Sequence, residues 1–170
     1  GQILAAFDAL GAEAVAVAGS VELAWDAPRP SWLHDGLLTC LGAMALGPDR
    51  REIAPAETVA GANIAFRRDA VAAAGGFSPS LGRYGNARML LSNEESELIV
   101  RLRSAGGRVF YEPGAIVDHL VHRDRLNREW FRRRIAWQTV SNAIAAALND
   151  RDSAGPAPAA SLPWKPSSMR

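Results

Sequence analysis

The sequence predicts an α/β fold, with a mixed sheet flanked by helices and a long C-terminal helix. Segments with the alternating pattern of strands lie between segments with the 3.6-residue spacing of helices. The 170 residues, 48% of them hydrophobic and 22% charged, suffice to bury one core. Near the C-terminus, a continuous helical pattern predicts the long helix, and a segment rich in Pro, Ala and Ser follows it.

The first third of the chain predicts a helix, a strand and a second helix. Apolar residues with helical spacing cover Gln2 to Leu10, and Gly11 is a stop signal. Valines and a leucine alternate between Ala14 and Trp25, which predicts a strand. A short apolar helix is expected from Leu37 to Leu46, followed by a polar surface loop over residues 49–58.

The middle of the chain predicts a buried strand over residues 59–66 and a helix over residues 68–74. Gly75 and Gly76 end that helix. Residues 77–91 are expected to form a long mobile loop, and loops of such length often carry function.

A further helix is predicted from Asn93, its N-cap, to about Ala105. Its apolar residues would face inward, and Glu97 and Arg101, four residues apart, would form an ion pair on the outward face.

The remaining elements are two short strands, a long helix and a tail. The strands are expected at residues 109–111 and 115–117, and the helix at residues 126–148. Residues 1–150 would form one domain. Residues 151–170 are rich in Pro, Ala and Ser, which predicts disorder.

Composition excludes some functions. The net charge of +1 gives no overall attraction to nucleic acid or anionic lipid. The longest apolar runs fall short of the ~20 residues that a membrane-spanning helix needs. The single Cys40 cannot form an internal disulfide, which favours a reducing, cytoplasmic environment.

The candidate chemistry lies at Glu94 and Glu95, at the start of a predicted helix, and at His119 beyond the next strands. This arrangement suits the deprotonation of a hydroxyl beside a metal-bound substrate. The helix N-terminus favours charged carboxylates, whereas the adjacent carboxylate opposes them, so the sign of the pKa shift stays open. Solvated carboxylates in a first helical turn are the alternative.

Five sequence blocks in order resemble those of family 2 glycosyltransferases, and the resemblance covers about residues 12 to 145. The blocks are Trp25 with the segment Pro28 to Leu33, the segment Gly61 to Arg68, Gly75-Gly76-Phe77, Glu94-Glu95, and Tyr111-Glu112-Pro113 leading to His119.

The resemblance implies a GT-A fold and inverting transfer of a sugar from a nucleotide-diphosphate donor to an acceptor hydroxyl. In that family a nucleotide-binding half precedes an acceptor-binding half, and this chain resembles the second. The acidic motif that holds Mn²⁺ or Mg²⁺ would lie just before Gly1, so the isolated chain is expected to be inactive. The implied setting is cell-envelope or polysaccharide biosynthesis in the cytoplasm, including the inner face of the membrane. Nucleic acid is not an expected partner.

The family pattern assigns roles to individual residues. Glu95 would be the catalytic base, Glu94 its neighbour, and His119 a metal or diphosphate ligand. Substrate contacts are implied for Gly61, Asn63, Arg67, Trp32, Arg125 and Arg132. Each of these has a structural alternative, such as core packing for Trp32 or a solvated surface for the arginines.

Six arginines between Arg123 and Arg134, interleaved with Trp130 and Phe131, permit a different class of function. Such a basic helix could dock on an anionic membrane surface or on a partner. The alternative to an enzyme is therefore a non-catalytic binding module.

Overall fold

A computed structural model describes residues 1–82 and 90–153, with side-chain surroundings up to residue 150. The helices are α1 (Gln2–Leu10), α2 (Arg68–Ala73), α3 (Glu94–Ser104) and α4 (Arg128–Ser153). The strands are β1 (Ala14–Trp25), β2 (Arg51–Glu52), β3 (Ile64–Phe66) and β4 (Arg108–Val121). Short 3-10 turns cover Asp35–Leu41, Gly61–Asn63 and Arg123–Arg125.

The strands form a mixed sheet in the order β2-β4-β1-β3. The central strands β1 and β4 are parallel, and the outer strands β2 and β3 are antiparallel to their neighbours. The predicted α/β class and mixed sheet are therefore confirmed. The first part of β1 is buried on both faces, which explains its run of alanine and valine.

Helices cover both faces of the sheet. On one face, Ala6 and Phe7 of α1 pack against Val17 and Phe110. On the other face, Ile99 of α3 joins a second apolar cluster. A third cluster, which includes Leu33, Val121 and Phe131, attaches the start of α4 to the ends of β1 and β4. No helix in the described residues has the length and hydropathy required to cross a membrane.

The pairing of β1 with β4 is interrupted near its middle. Gly19 pairs with Glu112, but the next residue, Ser20, pairs with Ile116. A Cβ atom on Gly19 would lie 2.1 Å from the carbonyl oxygen of Ala115, so only glycine fits here. Glu112, buried beside the interruption, forms an ion pair with Arg50 at 2.6 Å.

Several predicted bounds were wrong. The two strands expected at 109–111 and 115–117 are one continuous strand, because β1 pairs with residues on both sides of the interruption. The expected loop at 49–58 contains β2. Of the strand expected at 59–66, only Ile64–Phe66 forms a strand, since residues 61–63 form a 3-10 turn.

The helix expected at residues 37–46 is a 3-10 turn at Asp35–Leu41. It ends because Gly42 adopts a left-handed φ of 93°, after which Met44 pairs with Val21. The last helix extends to Ser153, three residues into the expected disordered tail. Residues 83–89 of the expected loop, and the tail from residue 154, lie outside the described residues.

Candidate active site

A cleft of about 380 Å³ lies between the start of α3 and the turn that precedes β3. We call it the acidic cleft, and its lining residues are Gly61, Ile64, Phe66, Phe77, Glu94 and Glu95. The structure thus brings Gly61 together with the two carboxylates that the sequence singled out, although more than thirty residues separate them in the chain.

Glu95 is held by the backbone of the facing turn. The amide of Gly61 donates a hydrogen bond to Glu95 Oε1 at 3.1 Å. Burial raises the pKa of Glu95 above 4.5, and the neighbouring charge of Glu94 raises it further. Hydrogen bonds from the amides of Glu95 and Gly61, and the charge of Arg134, oppose this rise in pKa without cancelling it. Glu95 is therefore a stronger base than an exposed glutamate.

Glu94 contributes to the cleft an oxygen that has no hydrogen-bond partner in the part of the chain that the structure describes. Within the described residues, Glu94 Oε2 is buried and makes no hydrogen bond. A buried polar atom usually has a partner, so one without a partner is a candidate contact for a ligand.

Polar contacts with α4 fix the start of α3. Asn93 takes the predicted N-cap position with φ 76°, but its side chain makes no capping hydrogen bond. Its amide instead donates to Asn142 Oδ1 at 2.7 Å and its Oδ1 accepts from Gln138 Nε2 at 2.7 Å. The Ser92 amide donates to Ser141 Oγ at 3.1 Å. Polar residues in a mostly apolar stretch of α4 were the sequence signal for this contact.

The ion pair of Glu97 and Arg101 is buried, contrary to the expected outward position. Glu97 is only 2% exposed and accepts from Arg101 Nε at 2.6 Å and from Nη2 at 2.7 Å. Arg101 also donates to the carbonyls of Ala74 and Gly76. The pair thus attaches the turn after α2 to α3.

Asn63 and Arg67 have structural partners. The buried amide of Asn63 donates to the carbonyls of Ser20 at 2.9 Å and Ala115 at 2.8 Å, across the interruption between β1 and β4. Arg67 donates to the carbonyls of Ala14 at 2.8 Å and Gly11 at 2.7 Å. Neither residue lines the acidic cleft, and their predicted substrate contacts stay predictions.

The other predicted substrate-binding residues lie around the start of α4. The ring of Trp32 packs edge-on against that of Phe131, with centroids 5.4 Å apart, which agrees with core packing, the alternative to a substrate contact. Arg128 lies over the ring of Trp32. Arg125 lies over Trp130 at 6.0 Å, and Arg132 is exposed. None of these residues lines the acidic cleft.

His119 is half-buried on β4, paired with Leu23 of β1. No group of three or more His, Cys, Asp or Glu side chains that could hold a metal occurs in residues 1–82 and 90–150. The described residues therefore do not form a complete metal site, and the predicted ligand role of His119 stays a prediction.

Comparison with known proteins gives one informative similarity. Over 139 residues the chain is 28% identical to a glucosyl-dolichyl phosphate glucuronosyltransferase of Haloferax volcanii. The aligned region covers 80% of this chain but 43% of that protein, so the chain spans less than half of the relative's length. No protein-family model matches the sequence, and no solved structure gives a significant match. The similarity supports a glycosyltransferase function at this general level.

Proposed function

We propose that this chain forms the acceptor side of an inverting, GT-A type family 2 glycosyltransferase, with Glu95 as the catalytic base. The observation that carries the proposal is the raised pKa of the Glu95 carboxyl in the cleft, beside a Glu94 oxygen that has no hydrogen-bond partner among the described residues. The similarity to a glycosyltransferase over most of the chain supports the same reaction class.

In the proposed reaction, the acceptor hydroxyl donates a hydrogen bond to Glu95 in the acidic cleft. The hydroxyl oxygen attacks the anomeric carbon of the donor sugar on the side opposite the nucleotide diphosphate. As the new C–O bond forms, the bond to the diphosphate breaks, and the hydroxyl proton moves to Glu95. Burial favours this proton transfer, because the neutral carboxyl is easier to accommodate in the cleft than the charged carboxylate.

Glu94 supports this step in two ways. Its charge contributes to the raised pKa of Glu95, and we propose that its Oε2 accepts a hydrogen bond from another acceptor hydroxyl. Mn²⁺ or Mg²⁺ would neutralise charge on the leaving diphosphate, with His119 as one proposed ligand. The described residues alone lack a complete ligand set, and we propose that further residues complete the site for the donor diphosphate.

The relative's name refers to a sugar carried on a polyprenyl phosphate and to transfer of a glucuronosyl group. By analogy we propose that the acceptor is a sugar hydroxyl and that the reaction serves polysaccharide or cell-envelope assembly at the cytoplasmic face of a membrane.

The test compares Glu95→Gln with the adjacent Glu94→Gln in the natural polypeptide that contains these residues, assayed with a panel of nucleotide sugars and Mn²⁺. We expect Glu95→Gln to lower turnover by about 10²–10⁴-fold with donor binding retained. Glu94→Gln removes a charge that raises the pKa of Glu95, so the acidic limb of its pH–rate profile should move to lower pH. Unchanged turnover in Glu95→Gln would exclude Glu95 as the base. Inversion is checked by NMR of the product's anomeric configuration.

A second candidate function is docking on a membrane surface through α4. Ile135 and Val140 are exposed on this helix, as are Arg132 and Arg133, and helices that bind anionic lipid combine exposed apolar and basic side chains in this way. Cosedimentation with phosphatidylglycerol vesicles tests it: an Arg132→Glu, Arg133→Glu variant should lose binding, and equal binding by the variant would exclude this surface.

A further inference from the structure

Phe77 is an exposed aromatic side chain inside the acidic cleft. It is 48% exposed, and the other aromatic residues in 1–82 and 90–150 are buried or half-buried. Exposed aromatic surface in a concave site commonly marks a place where a ligand binds. Phe77 lines the same cleft as Glu95.

The position of Phe77 is fixed from two sides. Its ring packs against Phe66 in an edge-to-face arrangement, with centroids 5.8 Å apart and an interplanar angle of 90°. The preceding Gly75 and Gly76 both adopt φ 80°, a conformation that residues other than glycine rarely adopt. Arg101 then holds the turn by donating to the carbonyl of Gly76 at 2.8 Å.

The buried partner of Arg101 strengthens this attachment. Glu97 fixes the guanidinium of Arg101 through two hydrogen bonds. These bonds hold the guanidinium in one orientation, and with it the carbonyl of Gly76 that Arg101 contacts. The geometry that they define is that of the backbone immediately before Phe77.

We propose that Phe77 is the stacking platform of an acceptor subsite, on which the apolar face of a pyranose ring packs while one of its hydroxyls reaches Glu95. A pyranose has a C–H face and polar edges, and the acidic cleft has a matching division. Ile64, Phe66 and Phe77 provide apolar surface, and Glu94 and Glu95 provide hydrogen-bond acceptors. The cleft of about 380 Å³ falls within the size range of small-molecule sites.

This inference rests on the proposed glycosyltransferase function, but its test can fail separately. Methyl pyranosides serve as probes in saturation-transfer NMR on the natural polypeptide without donor. We compare the wild type with Phe77→Ala and Phe77→Trp. The control is Val100→Ala on α3, because Val100 is 42% exposed but lies outside the cleft.

We expect saturation of the C–H protons on one face of a bound pyranose in the wild type, Phe77→Trp and Val100→Ala. Phe77→Ala should lose most of this signal and raise the acceptor KM about tenfold. An equal signal and KM in Phe77→Ala, or no pyranoside binding by the wild type, would overturn the subsite. If Phe77→Ala weakens acceptor binding but Glu95→Gln leaves turnover unchanged, the subsite stands and the assignment of the base fails.

Discussion

Burial of Glu95 in the acidic cleft determines what this carboxylate can do. If Glu95 were exposed in the first turn of α3, the helix N-terminus would stabilise its charged form. In the structure, the cost of removing the charged carboxylate from water exceeds its stabilisation by hydrogen bonds from the amides of Glu95 and Gly61. The pKa of Glu95 therefore rises. The sequence left this sign open because it does not show which segment covers the start of α3.

Gly61 leaves the space that Glu95 occupies. A Cβ atom at this position would lie 2.8 Å from Glu95 Oε1 and 3.0 Å from its Cδ. We expect Gly61→Ala to displace the carboxylate and lower turnover by about 10-fold or more, since small misplacements of catalytic groups are costly. The free energy of unfolding should change little, because the contacted atoms are the far end of a flexible side chain.

The measurement pairs steady-state kinetics with thermal denaturation, and the control is Ala62→Ser at the exposed neighbouring position. Full turnover in Gly61→Ala would show that the carboxylate position seen here is not required. A large loss of stability would instead mean that the alanine disturbs the turn itself.

Among the secondary-structure elements, the interrupted pairing of β1 and β4 depends on Asn63. Its side chain donates to one carbonyl on each strand where direct pairing stops. We expect Asn63→Ala to reduce the free energy of unfolding by roughly 2–4 kcal/mol, since two buried acceptors lose their donor. Urea denaturation measures the change.

Asn127→Ala is the matched control, because Asn127 also makes two hydrogen bonds to the backbone, but in an exposed position at the start of α4. It should cost about 1 kcal/mol, as expected for a helix cap. If Asn63→Ala kept full stability but raised a substrate KM, the predicted substrate contact would replace this structural role.

Elements defined by local pattern were predictable, and those defined by distant partners were not. The bounds predicted for α1 and β1 were confirmed because glycine stops and side-chain periodicity act locally. The two-residue β2 has no such pattern and exists because residue 51 pairs with Tyr111. Likewise, the sequence singled out Glu94 and Glu95 as candidates. It did not indicate that Phe77 forms a wall of the cleft, because this depends on how α2 and α3 pack together.

Across the whole molecule, α4 supports the acidic cleft without lining it. Its middle contacts the start of α3 through polar side chains, including Gln138, Ser141 and Asn142. These contacts hold Ser92 and Asn93, which immediately precede the two carboxylates. Loosening α4 should therefore affect Glu94 and Glu95 as well as stability.

Ser141 allows the contribution of the contact between α4 and the start of α3 to be separated from that of a hydrogen bond within α4. Its hydroxyl is fully buried, donates to the Trp137 carbonyl at 2.8 Å and accepts from the Ser92 amide at 3.1 Å. Thr139 makes the same kind of bond four residues back along α4 but is exposed. Thr139→Ala is thus the control for losing the helix-internal bond alone.

We expect Ser141→Ala to cost about 1–3 kcal/mol in the free energy of unfolding, because the Ser92 amide loses its partner, whereas Thr139→Ala should be near neutral. Hydrogen exchange should then rise at the start of α3 in Ser141→Ala alone, and turnover should fall with it. Equal exchange at the start of α3 in both variants would mean that α4 does not position the carboxylates, and that the turn at Gly61 and the attachment by Arg101 suffice to hold the cleft.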